Sequence, residues 1–238
     1  MSNLKFKPLI NTIFVHIPKT AGMSLFDSVL QLDKFFSWFL GLNKSIEDEQ
    51  LNKFDHLKTI SLGHLSYKSL LDSNLMDIKY FKRGFKFCFV RNPYDRLVSL
   101  YNYHRIEKRL GYDFDTFVKL LYEEFKAKKV PPIGLYNVKT FNKDSPLYHY
   151  QIYGNQYNQM TKWIPPDIGF IGRFENLESD INQVLCILGY TGPLVNIPKL
   201  NSSKKEKQSY KDYYKSEQTI KYVKAIYKKD INRFGYKL

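Results

Sequence analysis

The chain has 238 residues, enough for one large domain or two small ones, and its 43% hydrophobic and 16% aromatic residues can fill a real core. Lys plus Arg total 37 against 23 Asp plus Glu, and the resulting +14 suits an anionic partner: a nucleotide, a nucleic acid, an acidic glycan or a membrane surface. The same excess is also what a plain solvated lysine coat would give. No apolar run reaches the roughly 18 residues of a membrane span, and the best candidate, FFSWFLGL at 35–42, is far too short. Two cysteines make no disulfide framework; Cys88 in FKFCFV and Cys186 in VLCILG both read as small buried hydrophobes.

In chain order, Lys5 and Lys7 before LINTIFV mimic a secretory leader, but Asn11 and Thr12 interrupt the run and no small-residue cleavage site follows. The stretch NTIFVHI (11–17) instead has the β-branched and aromatic bias of a buried strand. Leu25, Val29, Leu32 and Phe36 then mark one face of a helix. KTISLGH (58–64) is a second strand, and FKFCFVR (85–91) is a third and the clearest. Asn92-Pro93 follows it as an N-cap and a proline at the first helical position, and Tyr94, Leu97, Tyr101 and His104 carry the helix onward. Residues 126–146, rich in Lys, Pro, Gly and Asn, read as a long loop of the functional or mobile kind. DIGFIGRF (167–174) is a fourth strand; Leu177, Ile181, Val184 and Leu188 form a helical stripe that stops at Gly189. NSSKKEKQS (201–209) is polar and unpatterned, and Ile220, Val223, Tyr227, Ile231 and Phe234 give one last amphipathic helix. Strands alternating with helices predict the α/β class: a single domain over 1–238, with a central, mainly parallel sheet in a three-layer sandwich. Ligands of such folds sit at the carboxyl ends of the strands. Those ends carry Lys19, His64, Arg91 and Arg173.

FVHIPKTAGMSL (14–25) places Lys19 and small residues where a strand becomes a helix, and N–H groups at a helix N-terminus bind anions. A nucleoside-triphosphate P-loop carries its lysine after glycines; here Lys19-Thr20 precedes Gly22 and no glycine lies upstream in the turn. A triphosphate–magnesium cradle of that kind is therefore disfavoured, while a shorter loop can still wrap one phosphate with the N–H groups of 19–24. The plain alternative is an ordinary turn with a surface lysine. In RNPYDRLVS (91–99), Arg91 can fork onto a phosphate, and Ser99 lies two helical turns past the cap. The plain alternative there is a well-capped helix with Asp95 in its first turn and Arg96 in solvent.

Taken together, HIPKTAGMS and CFVRNPYDRLVSLY resemble the sulfotransferase superfamily, specifically its Golgi carbohydrate branch and that branch's bacterial relatives. IGRFENLESDINQVLCILGY (171–190) and IYKKDINRFGY (226–236) are similar to later segments of the same family, so the likeness runs from about 11 to 236 and fades over 34–56 and 106–160. It implies a P-loop-like fold and a donor, 3′-phosphoadenosine 5′-phosphosulfate. By the same resemblance Lys19 contacts the bridging oxygen and 5′-phosphate, with loop N–H groups from Thr20, Ala21, Gly22, Met23 and Ser24 and hydroxyls at Thr20 and Ser24. Arg91 and Ser99 hold the 3′-phosphate. LNSSKK (200–205) falls where the family closes a polar loop over the nucleotide, which brings in Ser202, Ser203 and Lys204; a disordered lysine-rich linker is the compositional alternative. A lone histidine such as His64 is more often structural, but the Gly-His of SLGHLSY resembles that of the 2-O-sulfating branch, which implies His64 as the base, and a histidine pKa near about 6.5 suits a proton taken from a hydroxyl. His16 reads as packed or orienting, and His104 and His149 take no role.

The reading is sulfonyl transfer to an acceptor hydroxyl, on a carbohydrate, with an acidic glycan suited to the +14 charge, and without a metal, a nucleic acid partner or a membrane span. With no anchor in the chain, the expectation is a soluble, cytoplasmic protein. Two rivals stand beside it. A phosphotransferase with a degenerate P-loop needs magnesium and an aspartate at a strand end to hold it. A polyanion- or nucleic-acid-binding module would use the lysines and the 19 tyrosines.

Overall fold

The computed structural model describes residues 12–22, 24–25, 83–127, 154–197 and 209–238. Their strands are β1 (Thr12–Val15), β2 (Phe85–Val90) and β3 (Phe170–Arg173). Their helices are α1 (Pro93–Tyr103), α2 (Ile106–Leu110), α3 (Phe114–Lys126), α4 (Leu177–Ile187), α5 (Glu217–Ile226) and α6 (Lys228–Phe234). The predicted second strand, KTISLGH, lies outside the described residues. Two compact units emerge, one from residues 1–90 with 163–201 and the other from 91–162 with 202–238.

In the first unit all three strands run parallel in the order β1-β2-β3, the α/β arrangement the sequence predicts. β2 is the middle strand, and Phe87, Cys88 and Phe89 on it are fully buried. One face carries an aromatic ladder: Phe14 stacks on Phe87 at 5.2 Å, and Phe87 meets Phe89 edge-on at 6.2 Å. Leu25 and the predicted α4 stripe, Ile181, Val184 and Leu188 with Leu185 beside it, cover that ladder. Gly172, paired with Phe89 across the ladder, has no room for a side chain, because a Cβ there would lie 2.4 Å from the Phe89 ring. α4 ends at the predicted glycine: Gly189 takes φ 86, its N–H donates to the Cys186 carbonyl and that of Tyr190 to Leu185. This pairing closes a Schellman cap. Cys88 is buried as expected, whereas Cys186 is exposed because it stands off the α4 stripe. The apolar reading of β2 also passes over Lys86, which is buried with its ammonium donating to the Gly84 carbonyl and to Asp167 at 2.8 Å.

The second unit begins where the cap signals place it. The Asn92 side chain accepts the Tyr94 N–H, Pro93 opens α1, and Tyr94, Leu97, Tyr101 and His104 are buried along one face. α3, unread in the sequence, starts at Asp113, whose carboxylate accepts the Thr116 N–H and is held below its ordinary pKa by that bond. The predicted C-terminal helix is two helices, broken at Tyr227 (φ −104, ψ 22). The physical reason lies in two anchors on either side of the break. Tyr227 donates its hydroxyl to the Tyr157 carbonyl at 2.8 Å, and Asp230, fully buried, accepts the N–H groups of Met160 at 2.7 Å and Thr161 at 2.9 Å. Burial raises the Asp230 carboxyl, while those N–H groups and then the Arg96 charge pull it back. Tyr94, Tyr101, Tyr157, Tyr214 and Tyr227 are all buried in this core, so these tyrosines are packing residues and not a stacking surface for bases.

Removing the Asp230 carboxylate should therefore strip the Met160 and Thr161 N–H groups of their acceptor and take away a negative charge near the buried Arg96. Asp230→Ala is expected to lose about 3–5 kcal/mol of stability, with Asp230→Asn intermediate, read as a shift in the urea midpoint. An unchanged midpoint would show that the break at Tyr227 does not depend on this anchor.

Candidate active site

The turn after β1 departs from ordinary backbone at two places. Lys19 has φ 66 and Ala21 has φ 79, and neither is a glycine. Left-handed backbone at an L-residue costs about 1–2 kcal/mol. Strain of this kind persists where surroundings enforce it, and it collects at functional sites. Backbone that passes through the left-handed region also turns its N–H groups together into an anion nest. The enforcing contacts are visible. Thr20 is fully buried and donates its hydroxyl to the Ile17 carbonyl at 2.8 Å. The Leu25 N–H donates to the Ala21 carbonyl at 3.0 Å, so the helix begins directly at the turn. His16 stacks on Phe14 at 5.4 Å, nearly parallel, and its imidazole occupies the space of a side chain at Gly22, where a Cβ would lie 1.9 Å from Nε2. His16 is thus the packed, orienting residue the sequence suggests, and Gly22 is glycine for lack of room. Lys19 is half-buried and Ser24 is buried in this turn.

The N-terminal end of α1 makes the second candidate element. Arg91 precedes the cap. Its Nε donates to Asp95 Oδ2 at 2.8 Å and its Nη2 to Asp95 Oδ1 at 2.9 Å, a bidentate fork. The Arg91 N–H donates to the Met160 sulfur at 3.5 Å, and Asn92 Nδ2 donates to the Lys237 carbonyl at 2.7 Å. The segment is therefore held from both sides. Arg91, Asp95 and Ser99, spaced four apart, are only half-buried, whereas residues 92–94, 96–98 and 100–101 are buried. A four-residue step keeps side chains on one helix face, so Arg91 and Ser99 share the accessible side of α1. Arg96 does not point to solvent as its position in the motif suggests. It is fully buried, donating Nη1 to the Asn158 carbonyl at 3.0 Å and Nη2 to that of Gln156. Burial lowers its pKa, with the nearby Tyr227 and Asp230 opposing that shift.

Of the residues expected at the site, the structure places Lys19, Thr20, Ala21, Gly22 and Ser24 in the first element and Arg91 and Ser99 in the second. Met23, His64, Ser202, Ser203 and Lys204 lie outside the described residues. Arg173, at the end of β3, has its N–H on Asp180 at 2.6 Å. Among the described residues no group of three or more His, Cys, Asp or Glu gathers as a metal site would require, and no helix is long and apolar enough to cross a membrane. Sequence reasoning missed the two left-handed residues, because Lys and Ala carry no signal for that backbone. It also missed the Arg91–Asp95 fork, which an acidic residue four positions after an arginine does announce.

The family model described as "Sulfotransferase family" matches residues 2–237. A protein of Archaeoglobus fulgidus, named only as uncharacterized, is 30% identical over 118 residues, covering 49% of this chain and 77% of its own. No solved structure matches the chain.

The steric relation at Gly22 is directly testable. Gly22→Ala should push against the imidazole and cost about 1–3 kcal/mol, the usual penalty of overpacking. The double variant His16→Ala/Gly22→Ala should recover a large part of that loss in a double-mutant cycle of melting temperatures. Simple additivity of the two changes would show that the ring does not set the space at Gly22.

Proposed function

The chain belongs to the sulfotransferase family and transfers sulfonyl groups, and from that premise we propose that its donor is 3′-phosphoadenosine 5′-phosphosulfate and its acceptor a carbohydrate hydroxyl. The observation that carries the donor assignment is the strained turn with left-handed Lys19 and Ala21. It fits a phosphate: N–H groups of residues 19–22 and 24 at a helix start, and a lysine on the same turn. The donor supplies the sulfonyl group and, in its 5′-phosphate, the leaving group.

Lys19 stabilises the charge that grows on the bridging oxygen, so its contribution belongs to the transition state. Thr20 has its hydroxyl proton on Ile17, and its N–H is the group it offers a phosphate. Arg91 and Ser99, on the accessible side of α1, take the 3′-phosphate. His64 receives the acceptor's proton as the oxygen bonds to sulfur and the bond from sulfur to the bridging oxygen breaks. Met23, Ser24, Ser202, Ser203 and Lys204 complete the nucleotide contacts in this reading. The Gly-His at 63–64 and the +14 charge support an acidic glycan as acceptor. The family match over nearly the whole chain supports one sulfotransferase domain spanning 1–238.

A thermal-shift screen tests the donor assignment, because binding to the folded state alone raises the melting temperature. Adenosine 3′,5′-bisphosphate should raise it without magnesium, by more than AMP does, and ATP–magnesium and single-stranded RNA should leave it nearly unchanged. A shift with ATP–magnesium and none with the bisphosphate would instead favour phosphoryl transfer.

A further inference from the structure

Asp95 stands one turn after Arg91, and both its oxygens are on the Arg91 guanidinium, at 2.8 and 2.9 Å. An acidic residue in the first turn of a helix is ordinarily explained by the macrodipole alone. Here the carboxylate is committed to one side chain in a planar, two-point contact, and the pair is largely shielded, with the side chains 15% and 20% exposed. Arg91 needs such a partner. It is a cation placed just before the positive end of α1, where the dipole repels it, and its long side chain has many rotamers to lose. Its backbone is held by Met160 and by the Asn92 anchor on Lys237, and the two-point contact with Asp95 fixes the plane of its guanidinium.

We propose that Asp95 is a positioning residue for the donor site: its bidentate fork fixes the plane of the Arg91 guanidinium and so sets the preference for a nucleotide bearing a 3′-phosphate. The inference rests on the assignment of Arg91 to that phosphate. It runs against simple charge counting. Deleting a carboxylate beside an anion site should by charge alone tighten anion binding. Deleting a positioning residue should weaken it, because Arg91 must then be ordered at the moment of binding.

The experiment is calorimetric titration of wild type, Asp95→Asn, Asp95→Glu and Arg91→Ala with adenosine 3′,5′-bisphosphate and with AMP, reading the ratio of the two affinities. Asp95→Asn should lower the ratio roughly tenfold, the scale of one lost charge-assisted bond, leaving AMP affinity near wild type. Asp95→Glu should restore a large part of it. The ratio also serves as an internal control, since a folding defect lowers both affinities together and leaves it unmoved. If Arg91→Ala lowers the ratio while Asp95→Asn leaves it unchanged or raises it, Asp95 only neutralises charge and the inference is overturned. If Arg91→Ala itself leaves the ratio at the wild-type value, the 3′-phosphate assignment fails and the inference with it.

Discussion

Burial of β2 in the middle of a parallel sheet is the constraint on which the first unit depends. A central parallel strand must be apolar on its faces and hydrogen-bonded on both edges. FKFCFV meets that demand with fully buried Phe87, Cys88 and Phe89. Once β2 is central, β1 pairs beside it through Phe14 and Phe87, and the chain leaves β1 directly into the Lys19 turn. On the other edge Gly172 lets β3 lie against the Phe89 ring. The strained turn is affordable because its neighbours are over-determined: His16 against Gly22 and Thr20 on Ile17 both follow from the way β1 ends.

The second unit uses a different device. Its core is aromatic, and its polar backbone is tied by buried side chains from distant parts of the sequence. Asp230 reaches back to Met160 and Thr161, and Arg96 reaches forward to Gln156 and Asn158. Such ties satisfy buried backbone groups whose loss would be costly. They also settle which surface of α1 stays accessible, and that surface bears Arg91, Asp95 and Ser99.

The legible parts of the sequence are those where one local rule decides. Asn92-Pro93 marks the start of α1, the stripe at Ile181, Val184 and Leu188 marks α4, and Gly189 its end, each from a cap or a period. What was not legible depends on partners far along the chain. The break at Tyr227 comes from contacts with residues 157–161, and the burial of Arg96 comes from carbonyls about 60 positions away. Lys86 within an apolar strand and Cys186 off the α4 stripe are cases where composition suggested one environment and packing supplied another. At the candidate site, the motif residues could be named from sequence, but the left-handed backbone of Lys19 and Ala21 could not, since only a three-dimensional surround forces it on such residues.

The excess of positive charge need not mean nucleic acid, since several of the tyrosines that stacking would use lie inside the core. The central claim is that this chain moves a sulfonyl group from the phosphosulfate donor, with Lys19 acting on the bond that breaks. The most direct measurement is label transfer from radiosulfur-labelled donor to a panel of glycan and tyrosyl-peptide acceptors, run with wild type and Lys19→Ala. The account predicts label on a carbohydrate hydroxyl with one bisphosphate released per transfer, and loss of that turnover in Lys19→Ala while bisphosphate binding is largely kept. Label that moves equally well with Lys19→Ala, or reaches no acceptor while ATP phosphorylates the same panel, would contradict it.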